Sequence, residues 1–231
     1  MSRLSIIVPV LDEAPGIVAC LEALAPLRGR GVEVIVVDGG STDATALLAT
    51  PLADRVTAAP RGRAAQMNAG ARAATGTTFL FLHADTRLPP DADRLLLDGL
   101  ASSGRCWGRF DVTIEGASPM LAVVAAFMNA RSRLTCIATG DQAIFARREA
   151  FDRIGGFPDI ALMEDVAFST AMKREGPPLC LAGKVTTSGR RWERQGALRT
   201  ILLMWRLRLA FFLGADPASL ARRYGAHRPD A

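Results

Sequence analysis

VEVIVVDGGSTDATALLA occupies Val32–Ala49. Val32–Val37 is an apolar run almost free of alternation, the pattern of a strand covered on both faces. It stops at Asp38-Gly39-Gly40, and Ser41 or Thr42 followed by Asp43 offers an N-cap for a helix over Ala44–Ala49. Strand, carboxylate, glycine turn and capped helix make one βα unit, and the unit recurs on either side. Upstream, the apolar run Leu4–Val10 leads through Leu11-Asp12-Glu13 into helical spacing over Pro15–Leu27. Downstream, Arg55–Ala58 reads as a short strand and Arg63–Ala74 as an Ala-rich helix stopped by Gly76. Phe79–Leu82 is the next strand, ending in His83-Ala84-Asp85, and Asp91–Leu100 the next helix. This alternation predicts an α/β fold on a largely parallel sheet, without internal repeats or linkers.

Open parallel sheets bind ligands outside the carboxyl ends of their strands. Three successive strand ends carry acids here: Asp12-Glu13, Asp38 and Asp85. A single Asp after a strand is ordinarily a turn or cap residue. Three on one sheet edge point to a metal or nucleotide site. The turn after the first strand, VPVLDEAPG, has no GxGxxG, and no Walker A motif occurs in the chain. Classical dinucleotide-dependent and P-loop enzymes are thereby disfavoured.

The 231 residues are 49% hydrophobic, enough for a substantial core. Cys20, Cys106, Cys136 and Cys180 lack CxxC or Cys/His ligand spacing and read as free thiols of a reducing compartment. The start MSRLSIIVPVLDEA does not read as a signal peptide, so a cytoplasmic location is expected, with the inner face of the cell membrane as the alternative. Net charge is +5, concentrated at the C-terminal end, where nine arginines between Arg190 and Arg228 face only Glu193, Asp216 and Asp230. Such a segment suits an anionic partner: membrane surface, diphosphate or nucleic acid. It lacks any recognisable nucleic-acid motif, so nucleic acid is set aside. Leu198–Leu213 is too short and too charged to cross a bilayer. As an amphipathic C-terminal helix it leaves three readings open: packing on the preceding domain, an interfacial membrane helix, or a dimer interface. The expected division is a domain over 1–196 and a helical extension over 197–231, in a monomer or homodimer.

Five segments in order carry a resemblance. IIVPVLDEA resembles the VPxYNE signature of family 2 glycosyltransferases, with Leu11 and Asp12 in place of Tyr and Asn. VIVVDGGSTDAT resembles their VVDDGSTD, and RGRAAQMNAGARAATG their G-x-x-x-A-x-N-x-G stretch. FLFLHADT stands where the family carries DxD, with His83 at its first position. GDQAIFARREAFDRIGGFPDIALMEDVAFS resembles the acceptor-side block that ends in a Glu-Asp pair. A short subgroup with HADT, GDQ and SGRRWERQG is the nearest likeness, and the late Q/RxxRW motif of processive synthases is only partly matched. The resemblance implies a GT-A fold, a Rossmann-like nucleotide-binding sheet with flanking helices, and transfer of a sugar from a nucleotide-diphosphate-sugar.

By that resemblance Asp38 would contact the base, and Pro9, Asp12, Glu13, Gly39 and Ala84 would line the donor site. Asp85 would hold a divalent cation, Mn²⁺ or Mg²⁺, whose hard-oxygen preference suits a carboxylate and two phosphates. His83 is either a further metal ligand, favouring Mn²⁺, or sits behind the metal. Arg63, opening a helix, is a candidate phosphate partner or a solvated surface arginine. Asp165 would be the catalytic base beside Glu164, expected to precede a helix over Val166–Arg174; alternatively the pair only complements a helix N-terminus. Gly140, Asp141 and Gln142, before a short strand at Ala143–Ala146, would face the acceptor or form a turn. Arg191 and Trp192 would close over the phosphates or form a packed corner. One base and no covalent intermediate imply inversion at the anomeric carbon. The acceptor is open, with a lipid-linked one fitting the C-terminal helix. Two other functions compete: a sugar-phosphate nucleotidyltransferase, whose G-x-G-T-R-like loop is missing, and a non-catalytic nucleotide-sugar- or lipid-binding module.

Overall fold

The first four strands assemble in the way the alternation predicts. β1 (Leu4–Val10) lies between β2 (Glu33–Asp38) and β4 (Thr78–Phe81), with β3 (Arg55–Ala58) outside β2, and all of these pairings are parallel. The computed structural model describes residues 3–190, 192 and 196–225. Four further strands complete the sheet: β5 (Thr86–Arg87), β6 (Trp107–Glu115), β7 (Phe145–Arg147) and β8 (Leu179–Ser188). The order is β3-β2-β1-β4-β7-β6-β8-β5, with β7 antiparallel to both of its neighbours.

Strand period two sorts the core. Ile6, Val8, Val34, Val36, Leu80 and Leu82 enter an aliphatic cluster on one face. Ile7, Ile35, Val37, Phe79 and Phe81 enter a second cluster on the other, joined by Phe151, Phe157 and Phe168. The Phe-Leu-Phe-Leu run therefore sends its rings to one side and its aliphatic chains to the other. Helices α1 (Ala14–Arg28) and α4 (Ala92–Ser103) contribute to the aliphatic face, and α3 (Arg63–Ala73) to the aromatic face. Gly70 permits the close seating of α3, since a Cβ there would lie 2.4 Å from Ile7 Cγ2.

The ladder between β1 and β4 runs to Ile7–Phe81, and the Leu82 N–H still donates to the Ile7 carbonyl at 2.9 Å. Alternation then places the missing N–H of Pro9 on the side where β4 has ended, so the proline costs the sheet little. Beyond this point the β1–β4 ladder ends, and the segments that carry the strand-end acids begin.

The second half contains elements that the sequence did not announce, β6, β8 and α5 (Met120–Thr135). Buried Arg109 on β6 ties α5 down: its Nε donates to Ser132 Oγ at 3.0 Å and its Nη2 to the Asn129 carbonyl at 3.2 Å. It also pairs with Asp111, which Arg133 holds from the other side at 2.6 Å. Asn129 uses its amide on one strand residue, accepting from the Val112 N–H at 2.9 Å and donating to the Val112 carbonyl at 3.0 Å.

Two boundaries differ from expectation. The helix expected at Val166–Arg174 is α7 (Glu164–Met172), so Glu164-Asp165 forms its first turn rather than preceding it. The strand expected at Ala143–Ala146 is β7, because Ala143, at φ 47°, closes a 3₁₀ turn over Gly140–Gln142. After α6 (Arg148–Arg153) and α7, the described residues end in α8 (Ala197–Phe212) and α9 (Pro217–Gly225). Leu207 of α8 and Leu220 of α9 pack with Met163, immediately before the acid pair. The opposite side of α8 leaves Leu202, Trp205, Leu209 and Phe212 exposed.

Candidate functional site

The loops after β1 and β2 are stitched to each other. Asp12, held at φ 53°, accepts from the Thr42 N–H at 2.7 Å and from its hydroxyl at 3.1 Å, and the Asp12 N–H donates to Ser41 Oγ at 2.9 Å. The Glu13 N–H donates to Thr45 Oγ1 at 2.8 Å and the Ala14 N–H to Asp43 at 3.1 Å. Asp38, half-buried at the end of β2, accepts from the Ser41 N–H at 3.1 Å and the Gly40 N–H at 3.3 Å. These acids therefore do structural work, and the shape that they fix is an acid-rimmed ledge.

Helix α3 supports that ledge from below. Buried Gln66 donates to the Val10 carbonyl at 2.7 Å and to the Val37 carbonyl at 2.8 Å, bridging the ends of two strands. A Cβ on Gly39 would stand 3.0 Å from the Gln66 amide, so the turn rests directly on it. Two residues on, Asn68 exchanges hydrogen bonds with the Phe157 backbone, 2.8 Å to its carbonyl and 2.9 Å from its N–H. This delivers the Phe157 ring to a stack on Phe168 of α7, with centroids 4.2 Å apart.

At the end of β4 the pieces meet. Met67, Phe81, His83, Gly140, Ile144, Phe157, Glu164 and Asp165 line one small cavity. The His83 ring lies against the Gly140–Asp141 turn, with Nδ1 3.4 Å from Asp141 Oδ1. Only glycine fits beside it, for a Cβ at Gly140 would be 2.4 Å from both Cε1 and Nε2. The Gly140 N–H donates to Asp165 Oδ2 at 3.0 Å, and the Val166 N–H to Asp165 Oδ1 at 2.8 Å. Burial pushes the carboxyls of Glu164 and Asp165 above their ordinary range. For Glu164 the adjacent Asp165 charge adds to the rise, and Arg63 opposes it for both. Exposed Arg63 thus opens α3 within electrostatic reach of the pair.

Asp85 stands exposed beyond β4, its carbonyl accepting from the Ser188 N–H at 3.2 Å. Its charge and that of Glu13 both act on Cys20, whose thiol is pushed up to about 12, chiefly by burial. The β1 and β4 ends therefore share one neighbourhood. No group of three His, Cys, Asp or Glu among the described residues could cage a metal. A lone exposed carboxylate suits a cation that keeps waters and takes phosphate oxygens, as Mg²⁺ and Mn²⁺ do.

Residues 5–154 match the family model described as glycosyl transferase family 2. The chain belongs to that family. Curated relatives include a PGL/p-HBAD biosynthesis glycosyltransferase of Mycobacterium tuberculosis and its Mycobacterium bovis counterpart. Each is 40% identical over 91 residues, 36% of this chain and 36% of the relative. The chain thus aligns with about a third of their length. Glucosyl-3-phosphoglycerate synthase from M. tuberculosis, solved with Mn²⁺, UDP and glucosyl-3-phosphoglycerate, superposes with a TM-score of 0.66 at 19% identity. That likeness covers 93% of this chain and 81% of the other. The Pyrobaculum calidifontis mannosyltransferase PcManGT, with GDP-Man and Mn²⁺, gives 0.63 at 23% identity over 98% and 70%. At these identities the likeness shows the fold, and the fold is GT-A.

Of the residues singled out from sequence, His83, Gly140, Glu164 and Asp165 line one cavity, with Asp141 against His83. Pro9, Asp12, Glu13, Asp38 and Gly39 fall on the joined ends of β1 and β2, and Ala84 and Asp85 follow β4. Buried Gln142 acts structurally, closing a capping box with Thr139. Half-buried Trp192 packs against the aliphatic cluster, while Arg191 lies outside the described residues. Sequence reasoning missed Gln66, whose signal was a polar residue on the sheet-facing side of an Ala-rich helix, and gave no role to Asn68, the Asn of the G-x-x-x-A-x-N-x-G stretch. It also missed Arg131, in a helix that it did not recognise.

Proposed function

We propose that this protein transfers a sugar from a nucleoside-diphosphate sugar to an acceptor hydroxyl with inversion, Asp165 serving as general base. The observation that carries the reading is the Glu164-Asp165 pair, held at the start of α7 against Gly140 and opening on the cavity at the end of β4. A carboxylate raised toward neutrality is better matched to proton abstraction than an ordinary one. As the acceptor oxygen bonds to the anomeric carbon, the bond from that carbon to the diphosphate breaks. The acceptor proton passes to Asp165, and the nucleoside diphosphate leaves. Attack from the face opposite the leaving group, without a covalent intermediate, gives inversion, by analogy with inverting hydrolases.

Asp85 is the residue that would hold a divalent cation, which when bound neutralises charge on the departing diphosphate. The Mn²⁺ and nucleotides bound by the mycobacterial and archaeal GT-A structures support both assignments. We place His83 behind the metal, because its ring edge faces the acceptor-side turn. Arg63 is positioned to meet phosphate. The exposed apolar stripe of α8 supports an acceptor presented at a membrane surface, and no helix among the described residues is long and apolar enough to cross one.

Thermal unfolding with UDP, GDP, CMP and dTDP, each with and without Mn²⁺, tests the reading on wild type and Asp85→Ala. One diphosphate at about 100 times its dissociation constant should add about 2.7 kcal/mol. That gain should need both Mn²⁺ and Asp85. No stabilisation by any of the nucleotides sinks the proposal.

A further inference from the structure

Arg131, on the α5 turn that Arg109 anchors, has its Nε and Nη2 buried without a hydrogen-bond partner among the described residues. Those two nitrogens present parallel N–H groups, the edge that grips a carboxylate or phosphate bidentately. The protein itself shows this use. Arg30 puts Nε and Nη2 on the two oxygens of Asp93 at 2.8 and 2.7 Å, and Arg28 does the same with Asp54 at 3.2 and 2.7 Å. Arg131 keeps its edge unspent in a setting where an unpaired charge is costly.

The surroundings show what the edge is for. Arg131 lies within electrostatic range of Asp165 and Asp141, yet no ion pair joins it to either. Asp165 is already committed to the Gly140 and Val166 N–H groups, and Asp141 faces His83. The guanidinium thus stands near both acids, next to negative charge it does not neutralise directly. A neutral acceptor would leave it unpaired, whereas an acceptor with its own oxyanion would complete it.

We propose that Arg131 recognises an oxyanion, phosphate or carboxylate, on the acceptor and so presents the acceptor hydroxyl to Asp165. The assignment rests on the transferase reading above and adds the acceptor's chemical class. Calorimetry tests it on full-length protein saturated with Mn²⁺ and the nucleoside diphosphate that stabilises it, titrated with inorganic phosphate or with acetate. Wild type should bind one of the two saturably. Arg131→Met should weaken that binding about tenfold or more, as loss of a charge-assisted pair requires. Arg131→Lys, which keeps the charge but not the fork, should weaken it as well. Nucleoside diphosphate affinity should be the same in all three proteins, which shows the variants folded. Phosphate binding would assign a phosphorylated acceptor, and acetate binding a carboxylated one. Diphosphate binding with neither anion bound, or anion affinities unchanged in both variants, overturns the assignment. Should no nucleoside diphosphate bind wild type, the transferase reading falls and the acceptor assignment falls with it.

Discussion

Gly140→Ala places a methyl group where the structure has no room. The new Cβ would sit 2.4 Å from both Cε1 and Nε2 of His83, more than 1 Å inside ordinary contact. The ring lines the cavity at the end of β4 beside Gly140, and Gly140 cannot retreat without loosening the 3.0 Å hydrogen bond from its N–H to Asp165. Overpacking of this kind costs about 1–3 kcal/mol. For a chain of this size each kcal/mol lowers Tm by about 2–4 °C. His83→Ala removes the obstacle, so the added methyl should cost little in that background. Urea unfolding of wild type, both single variants and the double variant closes the cycle. The expected coupling is about 1–3 kcal/mol, with the double variant more stable than the sum of the single effects. The His83–Asp141 contact is lost in both His83→Ala proteins and cancels. Additivity within about 0.5 kcal/mol would refute the packing argument, since residues in contact do not behave independently.

Asp165→Asn should lower the rate of sugar transfer by about 10²–10⁴-fold, the usual worth of a general base, with nucleoside diphosphate binding retained; a rate near wild type would remove Asp165 from that role. Glu164 titrates above its ordinary value when folded, because it is buried beside Asp165. The native state therefore binds more protons than the unfolded one across that window, and stability falls as pH rises through it. Glu164→Gln should accordingly raise Tm relative to wild type above the window, and less so or not at all near pH 4; a pH-independent difference would contradict the linkage. Trp205→Glu combined with Phe212→Glu should reduce flotation with anionic vesicles while leaving nucleotide binding intact, and equal flotation of wild type and variant would argue against a membrane-facing α8.

Strand period and turn chemistry made the N-terminal half legible. FLFLHADT could be read for its buried run and for the acid at its end, and Phe79, Leu80, Phe81 and Leu82 do divide between two cores. The acid pair was legible as a pair, but its place was misjudged by two residues. Met163 in the left-handed region at φ 69° starts α7 earlier than any side-chain cap announces. β6 escaped notice because Arg109 and Asp111 interrupt its apolar pattern, and only the fold shows that the two charges neutralise each other within the sheet. Arg131 was invisible for a related reason. Along α5 it is one of two arginines two positions apart with Ser132 between them, and nothing in that spacing says that Arg133 finds Asp111 while Arg131 finds no partner among the described residues.

The amide of Asn129 on Val112 has a bearing on solubility. β7 pairs with β6 only at Trp107 and Gly108, so farther along β6 no strand among the described residues lies beside the edge turned away from β8. Bare edges of that sort recruit strands from other chains. At Val112 one side chain fills both the donor and the acceptor that such a strand would use, and α5 lies across the gap as a lid. Replacing Asn129 would reopen that position to a second molecule, and the damage would show first as self-association at high concentration.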